Sequence, residues 1–406
     1  MTKPAAATLI TPHAAQQAIE ALVTRLPIES RALELCLGQT LREDVYAERD
    51  NPPFDRVCMD GIAIDSASFS AGTRRYRIQG TQAAGAPALT LAAPSNAIEV
   101  TTGAVLPKGA DTVIPLEEYA VVGDVASVRS DASGGAYRNV ARRGSDSRRD
   151  VPMLEAGARL GAREIAVAAA AGFDRLNIAR PPRVAVISTG NELVAPGRPI
   201  ADHQVRDSNA YALRAALSEH GVTEVEGEHV ADDEGLIERS LHRHLGERDM
   251  IVLIGGVSHG KLDLVRAALA ASGVQEVVHQ VAQRPGKPMW FGVGPQRQAV
   301  FGLPGNPVAA LTCLRRYVVP AIARALGAPA MRPEPIALAS PAPGGRLAHF
   351  VPVRLRHDDL GRVAAVPGAP HGSGDFLALA GTDGFVELPP SATDLPAGFV
   401  ADFYRW

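Results

Sequence analysis

Cysteine is scarce. Cys36, Cys58 and Cys313 stand far apart in 406 residues and share no metal-ligand spacing. That argues against a disulfide frame or a zinc cluster and fits a reducing compartment. Cys58 is read as a small buried apolar residue. Neither charge sign is in excess: 41 basic and 44 acidic residues leave a formal net charge of −3. Nucleic acid is therefore not expected as a partner, and any anion site must be made locally. Long apolar runs are missing too. Nothing approaches the ~18 apolar residues a membrane span needs, so no membrane partner is expected. The opening MTKPAAATLITPH lacks a signal peptide's apolar core, which points to a cytoplasmic location. What remains is 46% hydrophobic and 21% charged, enough to build several cores. This length suggests about two to four domains.

The chain changes character along its length. Residues 13–24 read as an amphipathic helix and about 29–39 as a second, short one ending near Gly38. Between 45 and 147, short β-prone runs (Tyr76–Gln79, Ala97–Thr101, Thr112–Pro115, Tyr119–Val122) alternate with Gly, Pro and Ala-rich turns, the pattern of a β-rich domain. Residues 133–150, polar, basic and marked by glycine, read as an exposed linker, and a helix from about 162 to 171 closes at Gly172. After Pro181–Pro182, strands at Arg183–Ser188, Val222–Val230, Met250–Ile254, Gln275–Gln280 and Gln298–Gly302 alternate with helices at Asn209–His220, Glu234–Leu245, Lys261–Ser272 and Pro307–Leu326. Such alternation predicts right-handed βαβ units and a doubly wound, mainly parallel α/β sheet. Residues 330–406 read as a second small β domain.

In doubly wound sheets, ligands bind where the strands end. Five loops after these strands carry glycine or charge: 189–192 (TGNE), 231–233 (ADD), 255–263 (GGVSHGKLD), 284–288 (RPGKP) and 302–307 (GLPGNP). Gly255, Gly256 and Gly260 let backbone N–H groups approach an oxyanion. Helices starting near Lys261 and Pro307 point their positive ends at the same edge. Arg284 and Lys287 add full positive charge. Asp232, Asp233, Asp263 and Glu192 are hard oxygen ligands of the kind Mg²⁺ takes when it bridges to phosphates. Plainer roles stay open. The glycines can simply turn the chain, Asp232 or Asp233 can cap the next helix, and Asp263 suits a helix's first turn. Lys287 can be a solvated charge and His259 structural.

The 255–262 loop nearly matches the phosphate-binding G-x-x-x-x-G-K-[ST] loop. Leu262, however, stands where the Mg²⁺-binding hydroxyl should be, which argues against an NTPase. A second motif lies in the β-rich region, where Asp55 and Asp60 sit among apolar residues in PFDRVCMDGIA (53–63). Thr102-Gly103-Ala104, Glu118 and Gly144-Ser145-Asp146 follow it.

Together these motifs resemble the molybdopterin molybdenumtransferases, the MoeA and gephyrin E-domain family. The likeness runs from about residue 13 to the C-terminus. It rests on Met59–Ala63 (MDGIA), Thr102–Ala104 (TGA), Gly144–Asp146 (GSD), Ser188–Leu193 (STGNEL), Asp207–Asn209 (DSN), Gly255–Asp263, Pro285–Pro288 (PGKP), Gly302–Val308 (GLPGNPV) and Gly372–Ser373. The resemblance implies an elongated homodimer of four-part chains. Residues 27–47 and 148–178 would form a linking domain, and 48–147 an inserted β-rich domain. Residues 1–26 and 179–328 would form the α/β molybdopterin-binding domain, and 329–406 a C-terminal β domain. It also implies the reaction: molybdenum from molybdate enters adenylylated molybdopterin, with Mg²⁺-dependent release of AMP.

On this likeness Asp60, Asp146, Glu192 and Lys287 are the catalytic candidates, with Asp60 and Asp146 supplied by the partner subunit. Asp233 and Asp263 are the Mg²⁺ candidates. Ser258, Arg284, Lys287, Arg346 and Ser373 are expected to bind the oxyanion. Thr102, Gly103, Ser188, Gly190, Asp207, Asn209, Gly255, Gly256, Pro304, Gly305, Asn306 and Pro307 are expected to bind the substrate. Protein partners implied are the adenylyltransferase that makes the substrate and the molybdoenzymes, or their chaperones, that take the product. The chain departs from the family at Arg284 (usually lysine), Ala309 (usually serine), Ile62 (usually aromatic) and Ser145 (usually acidic). An adenylyltransferase-like activity and a non-catalytic, diverged molybdopterin-binding role are the alternatives.

Overall fold

The computed structural model describes residues 9–256, 264–368 and 375–406. Its centre is a six-stranded sheet among the described residues, built from β1 (Arg183–Thr189), β2 (Glu224–Val230), β3 (Met250–Ile254), β4 (Gln275–His279), β5 (Trp290–Val293) and β6 (Ala299–Leu303), in the order β2-β1-β3-β6-β5-β4. The pairs β1–β2, β1–β3 and β3–β6 are parallel. β5 runs against both neighbours. This strand is absent from the sequence reading, which assigns no element between residues 288 and 298. Because β5 reverses, β4 again runs with the parallel strands, and its end reaches the same edge.

The helices of this domain are α1 (Pro12–Leu22), α2 (Ser208–Glu219), α3 (Glu234–Glu247), α4 (Leu264–Ala271), α5 (Pro307–Cys313) and α6 (Val319–Leu326), while Ser66–Ser70 and the expected helix at Ala162–Ala170 lie outside it. The two-residue period of the strands divides the core. Val184, Val186, Val252, Phe291 and Phe301 face α1, α2 and the 307–326 segment. Ala185, Ile187, Ile251, Leu253 and Trp290 face α3 and α4. Ala15 and Ile19 of α1 belong to the first face, so the N-terminal helix completes a sheet that begins some 160 residues later. The expected single helix over 307–326 is instead broken by a π-turn at Leu314–Val318. That widening turns Arg315, Arg316 and Tyr317 inward together, and all three are buried.

A second six-stranded sheet spans the β-rich region, ordered Thr112–Pro115, Gly61–Ile64, Asn96–Val100, Arg75–Gln82, Val125–Val128, Tyr119–Val122. Residues 133–150 are not a free linker. Val140–Ala141 pairs with Arg56–Val57, Arg138 forks onto Glu118 at 2.5 Å, and the Gly144 N–H reaches the Pro52 carbonyl. The expected helix at 29–39 is likewise a strand, Ile28–Ala32, followed by the 3₁₀ turn Leu33–Leu35. Its antiparallel partner, Arg175–Ala179, is remote in sequence, so tertiary pairing overrides local helix propensity. Cys36, Leu41 and Val45 pack with Leu160, Ala168, Leu176 and Ile178 beneath that ribbon.

The C-terminal strands Glu334–Leu338, Ala348–His357, Val363–Pro367, Gly384–Leu388 and Val400–Arg405 pair until the sheet closes on itself as a small barrel. Gln283–Arg284, from the chain after β4, adds to the barrel strand at Ala348–His349. No helix among the described residues is long and apolar enough to cross a membrane.

Candidate functional site

The ends of β1, β3 and β6 meet at one place. Gly255 and Gly256, after β3, adopt φ +87° and +65°, the left-handed region that glycine enters without strain. A side chain at Gly256 would stand 2.3 Å from Val265 Cγ2, and one at Gly305 would lie 3.9 Å from Gly255 Cα. The glycine surfaces of the 255 and 305 loops are therefore adjacent. Beneath them lies Thr189 at the end of β1. Its hydroxyl is buried and has no hydrogen-bond partner among the described residues. Atoms of Thr189 come within 3.2–3.4 Å of where side chains at Gly255 and Gly256 would begin.

One polar chain fixes the floor of this edge. Ser188 Oγ donates to Asp207 Oδ2 at 2.6 Å, and Asp207 Oδ1 caps α2 through the Ala210 N–H. Both are buried. Two residues on, Asn209 Nδ2 donates to the Gly305 carbonyl at 2.7 Å, tying the start of α2 to the loop that opens α5. Pro304 is buried, Gly305 and Asn306 are exposed, and Pro307 fills the first turn of α5, where it needs no N–H donor.

The carboxylates lie to one side. Glu192 curls over Gly190, within 2.6 Å of where a side chain at Gly190 would begin. The His229 ring holds the Gly190 carbonyl at 2.9 Å. Asp233 Oδ1 caps α3 through the Leu236 N–H, so the capping role allowed by the sequence falls to Asp233. Asp232 exchanges hydrogen bonds with Asn191, bridging the loops after β1 and β2. All three acids are exposed. Among the described residues, no group of three His, Cys, Asp or Glu is arranged as a ready metal cage.

The cations come from the loop after β4. Arg284 and Lys287 are exposed and make no ion pair with any described residue. Below them, buried Gln283 donates to the Gly286 carbonyl and to Cys313 Sγ, and it accepts from Tyr317 Oη. Gly286 is obligatory there, since a side chain would meet Cys313 Sγ and Gln283 Nε2 at 2.6 Å. Gln283 and Tyr317 are absent from the sequence reading, and Thr189 enters it only as part of the 189–192 loop and the STGNEL motif, with no role of its own. No motif marks Gln283 or Tyr317, and only the uncommon burial of a glutamine at a strand singles out Gln283. Beside Arg284, the partly buried His349 ring is held below its usual pKa by burial and by the Arg284 charge. Arg346 is exposed on the barrel. Ser258, Asp263, Lys261 and His259 lie outside the described residues, as does Ser373.

The second cluster is in the β-rich region. Gly61 pairs with Val100, so Asp60 stands beside the turn that follows the neighbouring strand. Asp60 Oδ1 accepts from the Thr102 N–H at 2.6 Å and from Thr102 Oγ1 at 2.8 Å. Those two bonds hold the exposed carboxyl below its usual pKa. Gly103 donates to the Val57 carbonyl with φ +86°. Asp146 lies against the same loop, 3.9 Å from Arg56, and Ser145 Oγ donates to it at 3.0 Å. Cys58 is exposed, contrary to expectation, because it sits on this loop outside the ladder. Ile62 is fully buried in the domain core, so that departure concerns packing and not the site. Among the described residues, no hydrogen bond or ion pair joins this cluster to the sheet-edge loops of the same chain.

Family models cover these regions in turn. Residues 10–172 match the MoeA N-terminal region (domains I and II), 185–324 a probable molybdopterin binding domain, and 336–406 the MoeA C-terminal region (domain IV). The molybdopterin molybdenumtransferase of Synechocystis sp. is 35% identical over 91% of this chain and 93% of its own length. The molybdopterin molybdenumtransferase of Staphylococcus aureus is 27% identical over 96% and 95%. A solved molybdopterin biosynthesis MoeA protein from Pyrococcus horikosii superposes with a TM-score of 0.82 at 30% identity, covering 98% of this chain and 99% of that one. With similarity this extensive and all three regions in the same order, the chain belongs to the molybdopterin molybdenumtransferase (MoeA) family.

Proposed function

We propose that this chain acts in molybdenum cofactor biosynthesis as a molybdotransferase, inserting molybdenum from molybdate into adenylylated molybdopterin with Mg²⁺-dependent release of AMP. The observation that carries this reading is the glycine-lined edge where the 255 and 305 loops meet over the Thr189 hydroxyl, which has no partner among the described residues, with Arg284 and Lys287 free of ion pairs on the loop after β4. A polyanionic substrate needs close backbone approach, which these glycines allow, and full positive charge, which that loop can supply.

In this proposal Gly255, Gly256 and the 304–307 loop receive the phosphates and the pterin, while Ser188, Asp207 and Asn209 hold the floor in register. Gly190 gives the close approach beneath Glu192. Lys287, Arg284 and Arg346, with Ser258 and Ser373, take the molybdate oxyanion. Asp233 and Asp263, assisted by Glu192, would hold Mg²⁺. Asp233 and Glu192 are exposed hard-oxygen donors, the type Mg²⁺ takes while keeping several waters and sharing substrate phosphates rather than needing a protein cage. When bound, the ion neutralises charge on the pyrophosphate. Asp60 and Asp146, with Thr102 and Gly103, would complete the site across a homodimer from the partner subunit.

The domain boundaries given above, a cytoplasmic location, and hand-over from an adenylyltransferase to molybdoenzymes or their chaperones belong to the same proposal. The test is direct. Purified protein given adenylylated molybdopterin, molybdate and Mg²⁺ should release AMP and yield cofactor that activates an apo-molybdoenzyme. AMP release without active cofactor, or neither product, overturns the reading.

A further inference from the structure

The π-turn places two arginines side by side in the protein interior, and they are treated differently. Arg316 is 3% exposed and has a counter-charge: its Nε donates to Glu387 at 2.8 Å, and it also bonds Gln16. Arg315 is 9% exposed and has no such contact, the Glu334 charge reaching it only from beyond ion-pair distance. Its Nε donates to the Arg405 carbonyl at 2.5 Å, Tyr404 lies 5.9 Å away, and no carboxylate pairs with it among the described residues. A buried cation without a partner is costly, and folds normally supply one.

Arg315 instead lines a cavity of about 210 Å³ at the seam between the α/β domain and the barrel. Ala212 and Ala216 of α2, Leu311 of α5, Leu314, Leu379 and Trp406 give this cavity apolar walls. Glu219 and His220 also line it, at the end of α2. Glu219 makes no ion pair with Arg315. Burial, reinforced by Arg315 and Arg159, pushes the His220 pKa down to about 4, so its ring is neutral near pH 7.

We propose that this seam cavity is a binding site for a small monocarboxylate with an apolar body, whose carboxylate supplies the counter-charge Arg315 lacks. Guanidinium and carboxylate match as planar forks, whereas a phosphate dianion would need more positive charge than one arginine gives. Glu219 at the same opening disfavours the more highly charged anion further. The apolar walls and the indole of Trp406 select a ring or short hydrocarbon over a free inorganic ion. The site lies at the far end of α2 from Asp207 and Asn209 and is separate from the glycine-lined edge.

The probe is 4-fluorobenzoate, titrated against the purified full-length protein and followed by ¹⁹F line broadening. Neutral 4-fluorobenzamide and inorganic phosphate serve as controls. Saturable binding of the benzoate, with the amide and phosphate at least about tenfold weaker, is expected. Arg315→Met should weaken benzoate by about tenfold or more and leave the amide unchanged. Ala212→Leu, which keeps the arginine and fills the cavity, should weaken both aryl ligands, so the idea remains testable even if Arg315→Met fails to fold. No saturable binding, equal binding of acid and amide, preference for phosphate, or insensitivity to Ala212→Leu overturns it.

Discussion

Asp60 and Glu192 are both exposed carboxylates beside a glycine, yet they are held in opposite ways. Asp60 spends one oxygen on the Thr102 N–H and hydroxyl, and Gly61 next to it is locked because a side chain there would stand 2.0 Å from the Ile114 carbonyl. Glu192 makes no side-chain hydrogen bond or ion pair with any described residue, and a side chain at Gly305 would meet only Gly255 Cα, at an ordinary contact distance of 3.9 Å. One carboxylate is fixed by its own turn, whereas at the sheet edge Glu192, Arg284 and Lys287 make no ion pair with any described residue. A pre-set acid suits a group brought to a reaction from outside. Unpaired cations and acids suit groups that a polyanion and its metal organise on arrival.

The largest expected difference is structural. Gly61→Ala forces the strand Gly61–Ile64 off Thr112–Pro115 and should cost about 3 kcal/mol, while Gly305→Ala should unfold within about 0.5 kcal/mol of wild type. Thermal unfolding of the two variants checks this, and equal losses would erase the contrast. Next comes the floor of the sheet edge. Ser188→Ala leaves the buried Asp207 carboxylate short of a donor and should cost about 1–3 kcal/mol by denaturant titration.

A smaller effect separates the two acids by pH. The Thr102 bonds hold the folded Asp60 carboxyl below its ordinary pKa of 3.8, so its contribution is present above that pH and is lost as pH falls through the lower, folded value. Asp60→Asn should therefore be less stable than wild type at pH 7, and the two should converge in strong acid. A constant offset would mean that the Thr102 bonds are not charge-assisted. Glu192→Gln, with no bond to lose, should melt within about 1 °C of wild type at pH 7. The smallest change is Ala309→Ser. Ala309 is 2% exposed on α5, and a serine there should leave AMP release intact or lower the molybdate needed for half-maximal rate. A large loss of stability would show that the methyl group is packed without room for a hydroxyl.

Much of this was legible in the chain. Met250–Ile254, Thr112–Pro115 and Tyr119–Val122 occur at the bounds their apolar or β-branched runs predict, because such runs need no distant partner to declare themselves. The motif loops also fall at strand ends as expected. What the sequence did not reveal depends on partners far along the chain. Ile28–Ala32 is a strand only because Arg175–Ala179 lies beside it, and Trp290–Val293 reverses only because β4 and β6 flank it.

The same division runs through the site. The order of glycines, acids and bases after successive strands is a local property, and it is enough to mark the family. Three further features are properties of packing among the described residues: the bareness of the Thr189 hydroxyl, the Gln283–Tyr317–Cys313 support beneath Arg284 and Lys287, and the lack of a carboxylate at ion-pair distance from Arg315. Only the tertiary structure decides these, since whether a polar group is satisfied depends on every element that closes around it, and no spacing in the sequence records that.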